Sequence, residues 1–347
     1  MMPEEWPIAA PAAGRSAPAR AAGCERLDTV RADFFLPPAE RLTEQERALM
    51  TAMLHCLIGD IAADLRAALP VGRAGANDDE TSLVEALTRS GLLDEPELIA
   101  LLLRRADEER IGSAARARSG RRGARALQAL VSHQDAGVAA AAMGLILGQG
   151  RRRDRFGQCL LAFDDLPPDL ASRLAAAVAA VMRHDVAVRG SAEDADAELG
   201  SAVAQLLHRH DADRSSDVLT ARLLRALVAA DALSDELLAA AAQEGEVAFL
   251  AGAIGLRAEI APGIAIAELL SGEAGRLARL LRCASFSRDL AAAILASIGD
   301  LLGMDDPAAA IAEFDNLHAD EVAAARNWLA ASPHYRAAVD ALSGRHG

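Results

Sequence analysis

Three short phrases of similar form divide this alanine- and leucine-rich sequence into segments of helical length. They are LDEPEL at 93–98, LPPDLA at 166–171 and LSDELL at 233–238, each with a leucine before a Ser, Asp or Pro. Ser and Asp side chains accept hydrogen bonds from the first amides of a helix, which lack intrahelical partners, and proline has no amide to satisfy there. The phrases therefore predict a series of helix starts.

The composition favours the same conclusion. Hydrophobic residues make up 52% of the 347 residues, but aromatic residues only 3%, with Tyr335 as the single tyrosine. Strands are enriched in aromatic and β-branched residues, whereas alanine and leucine are strong helix formers. We therefore expect an all-α fold.

Helix boundaries can be predicted along most of the chain. Thr43 and Glu46 have the spacing of a capping box, and an amphipathic lead helix follows to about Leu69. Its apolar stripe consists of Met50, Leu54, Leu57, Ile58, Ile61 and Leu65. Later helices are expected to begin at Ser82, at Asp94 with Pro96, at Asp135, at Pro167 with Pro168, and at Ser234.

Three further stretches, 130–146, 238–260 and 277–298, share an apolar helix end, a polar turn and a second helix with one apolar face. They resemble the turn and second helix of a HEAT-like repeat. Helical pairs of this kind cannot bury their apolar faces alone and must stack, which predicts an α-solenoid. The predicted core positions are Val138, Ala142, Leu145, Val247, Leu250, Ile254, Leu290 and Ile294.

The order of FFLPPAERLTEQERALMTAML, capped helical pairs and EGEVAFLAGAIGLRAEI resembles a bacterial family of unknown function over roughly residues 30–347. That family has HEAT-like helical repeats and is found mainly in alpha-proteobacteria. The resemblance implies a helical-repeat fold and implies no catalytic residue.

Four regions are predicted. Residues 1–30 lack hydrophobic periodicity and are expected to form a disordered arm. The lead helix region covers 31–70, and a glycine-containing polar linker follows it. Two helical-repeat lobes are expected at 81–190 and 191–347.

No enzyme motif is present in the sequence. The chain has no lysine, so a P-loop is excluded, and it contains neither HExxH nor GxSxG. His208, His210, Asp211 and Asp213 suggest a metal site, but residues two apart on a helix point to different faces. His55, a conceivable phosphoacceptor, is expected at the boundary of the lead helix stripe. We expect no catalytic residue, metal or cofactor.

The charge distribution is uneven. Formal net charge is −14, yet residues 104–155 contain 12 arginines and 5 acids, and no acid occurs between Arg110 and Asp135. This segment predicts a docking surface for an acidic protein partner. The alternatives are a solvated loop with arginine stems lying along alanine-rich helices, or nucleic-acid binding, for which Phe156 is the only nearby aromatic. The candidate partner-binding residues are Arg116, Arg118, Arg121, Arg122, Arg125, Arg151, Arg152 and Arg153.

The N-terminal segment has acids and prolines where a signal peptide needs positive charge and a continuous apolar run. The longest uncharged apolar run, 136–148, is too short to span a bilayer. The four cysteines lie far apart in the sequence and form no CxxC pair, which favours reduced thiols. We therefore expect a cytoplasmic location without membrane insertion. The predicted function is a non-enzymatic protein-interaction or regulatory scaffold. The rivals are a nucleic-acid-binding repeat protein, and an enzyme whose distant residues converge in a polar pocket.

Overall fold

The computed structural model describes residues 42–73, 80–119, 125–304, 306–332, 335–336, 338–339 and 342. By the contacts within the chain, residues Met1–Glu44 and Gln45–Gly347 form two compact units. The following description applies to the second unit. The disordered arm predicted for 1–30 lies outside the described residues.

The described residues form fifteen α-helices and no β-strand, which confirms the all-α prediction. The helices are α1 Glu44–Ala68, α2 Glu80–Arg89, α3 Pro96–Ser119, α4 Arg125–Ala129, α5 Ala136–Arg151, α6 Pro168–Val188, α7 Ala192–Arg209, α8 Ser216–Ala229, α9 Asp235–Gln243, α10 Val247–Ala258, α11 Pro262–Leu270, α12 Ala274–Cys283, α13 Arg288–Ile298, α14 Pro307–Asn316 and α15 Ala319–Ala330.

The helix starts form where the capping residues predict them. The side chain of Asp135 accepts a hydrogen bond from the Val138 amide, and that of Ser234 accepts one from Leu237. Proline occupies the first turn of α3 and of α6. One start is wrong: α2 begins at Glu80, two residues before Ser82, so Ser82 lies inside the first turn.

The apolar side chains collect in two buried clusters. The first draws on α1, α2, the beginning of α3, α6 and α7, and the second on the end of α3, α4, α5 and α8 to α15. α3 crosses between them, because Leu98 and Leu102 belong to the first cluster and Ile111 and Ala115 to the second. All eight predicted core positions of the repeat-like stretches are buried.

Chain order and packing order differ in the middle of the molecule. α5 packs against α8, whereas the intervening α6 and α7 pack against each other in the first cluster. The two lobes predicted at 81–190 and 191–347 stay predictions as domains, and so does the solenoid. The all-helical architecture is compatible with stacked pairs such as α9 with α13 and α12 with α14.

Among the described residues, one helix, α1, is long and apolar enough to cross a membrane. α10 and α11 pass the same test only as a pair, and they are bent by 120°. α1 buries Met53, Leu57, Ile58 and Ile61 in the first cluster.

Candidate functional site

A short hairpin follows α5 and is held by its own backbone. Its two sides are joined by hydrogen bonds from the Leu160 amide to the Arg152 carbonyl, at 2.8 Å, and from the Asp154 amide to the Gln158 carbonyl, at 3.0 Å. The Asp154 carboxylate accepts from the amides of Phe156 and Gln158, each at 2.8 Å. These bonds fix the tip of this segment, which we call hairpin 152–160.

The tip of hairpin 152–160 presents an aromatic ring to solvent. Phe156 is 75% exposed, and the Arg155 guanidinium carbon lies 4.7 Å from the centre of its ring. Gly157, with φ of +82°, supplies the left-handed residue that the turn requires. The ring is thus displayed on ordered backbone rather than on a free chain end.

Arg152, at the base of the hairpin, points inward. Its guanidinium forms two hydrogen bonds of 2.7 Å to Asp165, and it also donates to the carbonyls of Gly148 and Arg214. Asp165 is buried and accepts from the amides of Ala162 and Ser216 as well. Arg152 therefore holds the hairpin to the interior.

Arg153 also binds within the chain. Its guanidinium donates to both carboxylate oxygens of Glu109 on α3, at 2.7 and 3.2 Å. Arg116, one of the predicted docking residues, reaches the same carboxylate at 3.3 Å. Arg118 pairs with Asp300 at 2.7 Å. Four of the predicted docking arginines, Arg116, Arg118, Arg152 and Arg153, are therefore paired with three carboxylates of the same chain.

The other predicted docking residues differ in environment. Arg151 is exposed at the end of α5 and makes no ion pair within the described part of the chain. Arg121, Arg122 and the side chain of Arg125 lie outside the described residues. A docking role for the arginine segment stays a prediction. Arg151 and Arg155 are exposed and make no ion pair within the described residues, whereas the exposed Arg153 is paired with Glu109.

A cavity of about 440 Å³ lies between α3, α5, α8 and α10, with hairpin 152–160 along one side. Leu127, Leu145, Leu160 and Phe249 provide part of its apolar wall. Its charged lining consists of Arg105, Glu108, Glu109, Arg116, Arg152, Arg153 and Glu246. Charged side chains as far apart in the sequence as Arg105 and Glu246 thus line one pocket. No sequence motif predicts this pocket.

Arg105 is the most buried cation of this lining, with 7% of its surface exposed. It donates to Glu108 at 2.6 Å and to Asp217 at 2.9 Å. Burial opposes its charge, but these carboxylates outweigh burial and raise the pKa of Arg105 above its usual value. The cation is therefore a permanent structural charge.

Glu246, at the start of α10, is the lining carboxylate without a cation within ion-pair distance in the described structure. Burial raises the pKa of Glu246 to about 7, and Glu244 adds to the effect. Arg116, Arg153 and a hydrogen bond with Gln149 act in the opposite direction. Glu246 can therefore gain or lose a proton near neutral pH.

Cys159 is the thiol of the cavity. Burial raises its pKa to about 11, with Glu109 contributing in the same direction, while Arg153 favours the thiolate. A thiol with such a pKa is almost entirely protonated at neutral pH and is a poor nucleophile.

The histidines singled out in the sequence lie elsewhere. The ring nitrogen Nε2 of His210 is 3.0 Å from the Leu166 carbonyl oxygen, and its ring packs edge-on against Phe163. His208 is exposed, and His55 is half-buried. The described residues contain no group of three or more His, Cys, Asp or Glu side chains placed to bind a metal ion.

Comparison with protein families places the chain in one of them. A family model described as an uncharacterised protein conserved in bacteria, DUF2336, matches residues 84–326, more than two thirds of the chain. The chain belongs to the DUF2336 family. The DUF2336 match runs from within α2 to within α15 and includes both the hairpin and the cavity. Neither the curated proteins nor the solved structures compared with the chain include a match.

Proposed function

We propose that this DUF2336 protein is a non-enzymatic, cytoplasmic protein-interaction module that docks its partner through hairpin 152–160. The observation that carries the proposal is the 75% exposure of Phe156 on a backbone held by the Asp154 carboxylate. An aromatic side chain on a fixed backbone loses less conformational freedom on binding than one on a mobile loop. Aromatic residues and arginine are enriched at protein interfaces.

The chemistry around Phe156 defines the partner. Arg155 stacks on the ring, and Arg151 is exposed five residues before it. A matching surface would offer an apolar pocket for the ring and acidic residues around it. Complementary charge of this kind accelerates association and selects partners.

Nucleic-acid binding is less well supported. It would require the arginines to line one continuous groove with their guanidinium groups free for phosphates. Arg116, Arg118, Arg152 and Arg153 instead bind carboxylates of the same chain. Single-strand binding also uses several stacking aromatics, and hairpin 152–160 has one.

The docking proposal is tested by a photo-crosslinking amino acid placed at position 156 in the native host. The matched control places it at Val228, which is 55% exposed on α8. We expect a discrete crosslinked protein from position 156 and none from position 228. With that protein purified, Phe156→Ala should weaken binding at least about tenfold, as loss of an interface anchor does, while Val228→Ala should not. Equal binding by wild type and Phe156→Ala would remove the basis of the proposal.

The cavity favours a second candidate, an enzyme or ligand-binding site. It brings Glu246, with a pKa of about 7, together with Arg116 and Arg153, and perturbed groups in a pocket are typical of such sites. A thermal-shift panel of small metabolites, run on wild type and Glu246→Gln, tests it. A ligand that raises the melting temperature only of wild type would support this candidate, and the absence of any Glu246-dependent shift would count against it.

A further inference from the structure

Glu246 is the carboxylate of the cavity lining that lacks a contacting cation. Glu108 and Glu109 accept hydrogen bonds from arginine side chains, whereas no arginine nitrogen of the described residues lies within 4.0 Å of the Glu246 carboxylate. Burial raises the pKa of Glu246, and Arg116 and Arg153 lower it without forming an ion pair with it. An unpaired carboxylate in a cavity is costly, so this position favours a ligand with a cationic group.

The first turn of α10 brings hydrogen-bond donors to the same place. Ala248 and Phe249 line the cavity, and the side chain of Glu246, the residue before the helix, makes no capping hydrogen bond. The first amides of a helix have no intrahelical acceptor and carry partial positive charge. A negative group of a ligand can therefore bind there, close to the Glu246 carboxylate.

Arg153 adds a charged donor to the lining. Its two terminal nitrogens donate to Glu109 and to the Gly157 carbonyl at 2.7–3.2 Å, while its Nε has no acceptor in the described part of the chain. The guanidinium of Arg153 can therefore donate to a ligand carboxylate and keep its ion pair with Glu109.

The remaining wall of the cavity is suited to an aliphatic group. Leu127, Leu145, Leu160 and Phe249 provide it, and side chains of this kind bind a ligand by removing its apolar surface from water. The cavity volume of about 440 Å³ lies within the range of about 300–1,000 Å³ that is typical of small-molecule sites. The ligand is therefore a small molecule with an apolar part and two opposite charges.

We propose that this cavity binds an aliphatic α-amino acid. Its ammonium group binds Glu246, its carboxylate binds the start of α10 and Arg153, and its side chain packs against the leucines. One carbon atom joins the two charged groups of an α-amino acid, which matches an acceptor and donors that belong to one helix start. The inference rests on the second candidate function, a ligand-binding cavity, and names the class of ligand.

Isothermal titration calorimetry of the full chain tests this proposal with L-leucine, L-isoleucine, L-valine and L-methionine. The titrations are run at pH 8, where Glu246, with a pKa of about 7, is mostly ionised. We expect at least one of the four to bind. The corresponding amine and carboxylic acid, for leucine 3-methylbutylamine and 4-methylpentanoate, should each bind at least about tenfold more weakly, because each loses hydrogen bonds between charged groups.

Variants place the binding in the cavity. Glu246→Gln keeps the size of the side chain and removes its charge, so it should weaken amino-acid binding at least about tenfold. Glu85→Gln, on the exposed side of α2, is the matched control and should leave binding unchanged. Ala248→Leu adds a branched side chain to the cavity wall and should also weaken binding while far-UV circular dichroism is retained. Phe156→Ala should have no effect, which separates this site from docking by hairpin 152–160.

Three results overturn the proposal: no binding of any of the four amino acids, wild-type affinity in Glu246→Gln, or equal binding of the corresponding amine or acid. The ligand-binding candidate fails separately. If another metabolite gives a Glu246-dependent thermal shift, the cavity is a ligand site and only the amino-acid class is wrong. If no compound gives such a shift, both are wrong.

Discussion

The guanidinium of Arg152 and the carboxylate of Asp165 are joined by two hydrogen bonds of 2.7 Å across a separation of 13 residues. Arg152 directly follows α5, which packs in the second cluster. Leu161 and Leu166, on either side of the turn that holds Asp165, belong to the first cluster. The side chain of Asp165 is 1% exposed. This ion pair therefore connects the two halves of the hydrophobic interior.

Breaking that pair should destabilise the fold strongly. Without Arg152, the buried Asp165 keeps only Arg105, 4.0 Å away, and the amides of Ala162 and Ser216 as partners. Loss of one partner of a buried ion pair typically costs about 3–5 kcal/mol. We expect this loss in the unfolding free energy of Arg152→Ala, measured by urea denaturation. The control is Arg173→Ala, whose exposed pairs with Glu95 and Glu97 should contribute about 0–1 kcal/mol. Equal losses in both variants would contradict the structural role of Arg152.

Helix α10 allows a matched test of burial. Leu250 is fully buried and Leu256 is 43% exposed on the same helix. Leu250→Ala removes buried methyl groups and leaves a cavity, so it should lower the unfolding free energy by about 2–5 kcal/mol. Leu256→Ala should change it by less than about 0.5 kcal/mol. A reversed order would mean that α10 is rotated about its axis.

Glu246 should make stability depend on pH. Its pKa of about 7 in the folded chain lies above the ordinary 4.5, so between these values the folded state holds a proton that the unfolded state loses. The unfolding free energy therefore falls as pH rises through this window, and the full loss is present above pH 7.

Replacing the carboxyl group should remove this loss. Glu246→Gln is expected to be more stable than wild type at pH 8 by about 1–3 kcal/mol, and the two should converge near pH 4. Urea denaturation at several pH values measures the difference. Glu85→Gln, on the exposed side of α2, shows what loss of a surface carboxylate alone does. A pH profile of Glu246→Gln identical to that of wild type would show that burial does not perturb Glu246.

The Cys159 thiol should react slowly in the folded protein. Burial raises its pKa to about 11, so about one molecule in a thousand carries the thiolate at pH 8. Alkylation by iodoacetamide, followed by peptide mass spectrometry, should be on the order of a hundredfold slower than in the urea-unfolded chain. A folded-state rate close to the unfolded one would show that the thiol is open to solvent.

Local features of the fold could be predicted without the structure. At the starts at Asp135 and Ser234, the capping side chain accepts from the amide three residues later. The burial of Val247, Leu250 and Ile254 follows from their spacing on one helical face. These interactions lie within one or two helical turns, so the order of residues contains them.

The candidate site could be predicted only in part. The charge of Arg152 and Arg153 predicts that they belong to a docking surface, but their partners Asp165 and Glu109 lie 13 and 44 residues away. The sequence contains no signal for the contribution of Glu246, because stretch 238–260 predicts only a helix end, a polar turn and a second helix. Neither the charge count nor helical periodicity shows which carboxylate meets which arginine.

The sequence by itself determined the helical class, the helix starts at Asp135 and Ser234, and the inward faces of α5, α10 and α13, because capping and periodicity act over a few residues. Only the tertiary structure decided that α5 packs on α8, that Arg153 turns toward Glu109, and that Phe156 remains in solvent. Those outcomes depend on which apolar face packs against which, and many of these faces have similar composition. Because faces rich in alanine and leucine resemble each other closely, shape complementarity and buried charge in the folded chain determine which faces pack together.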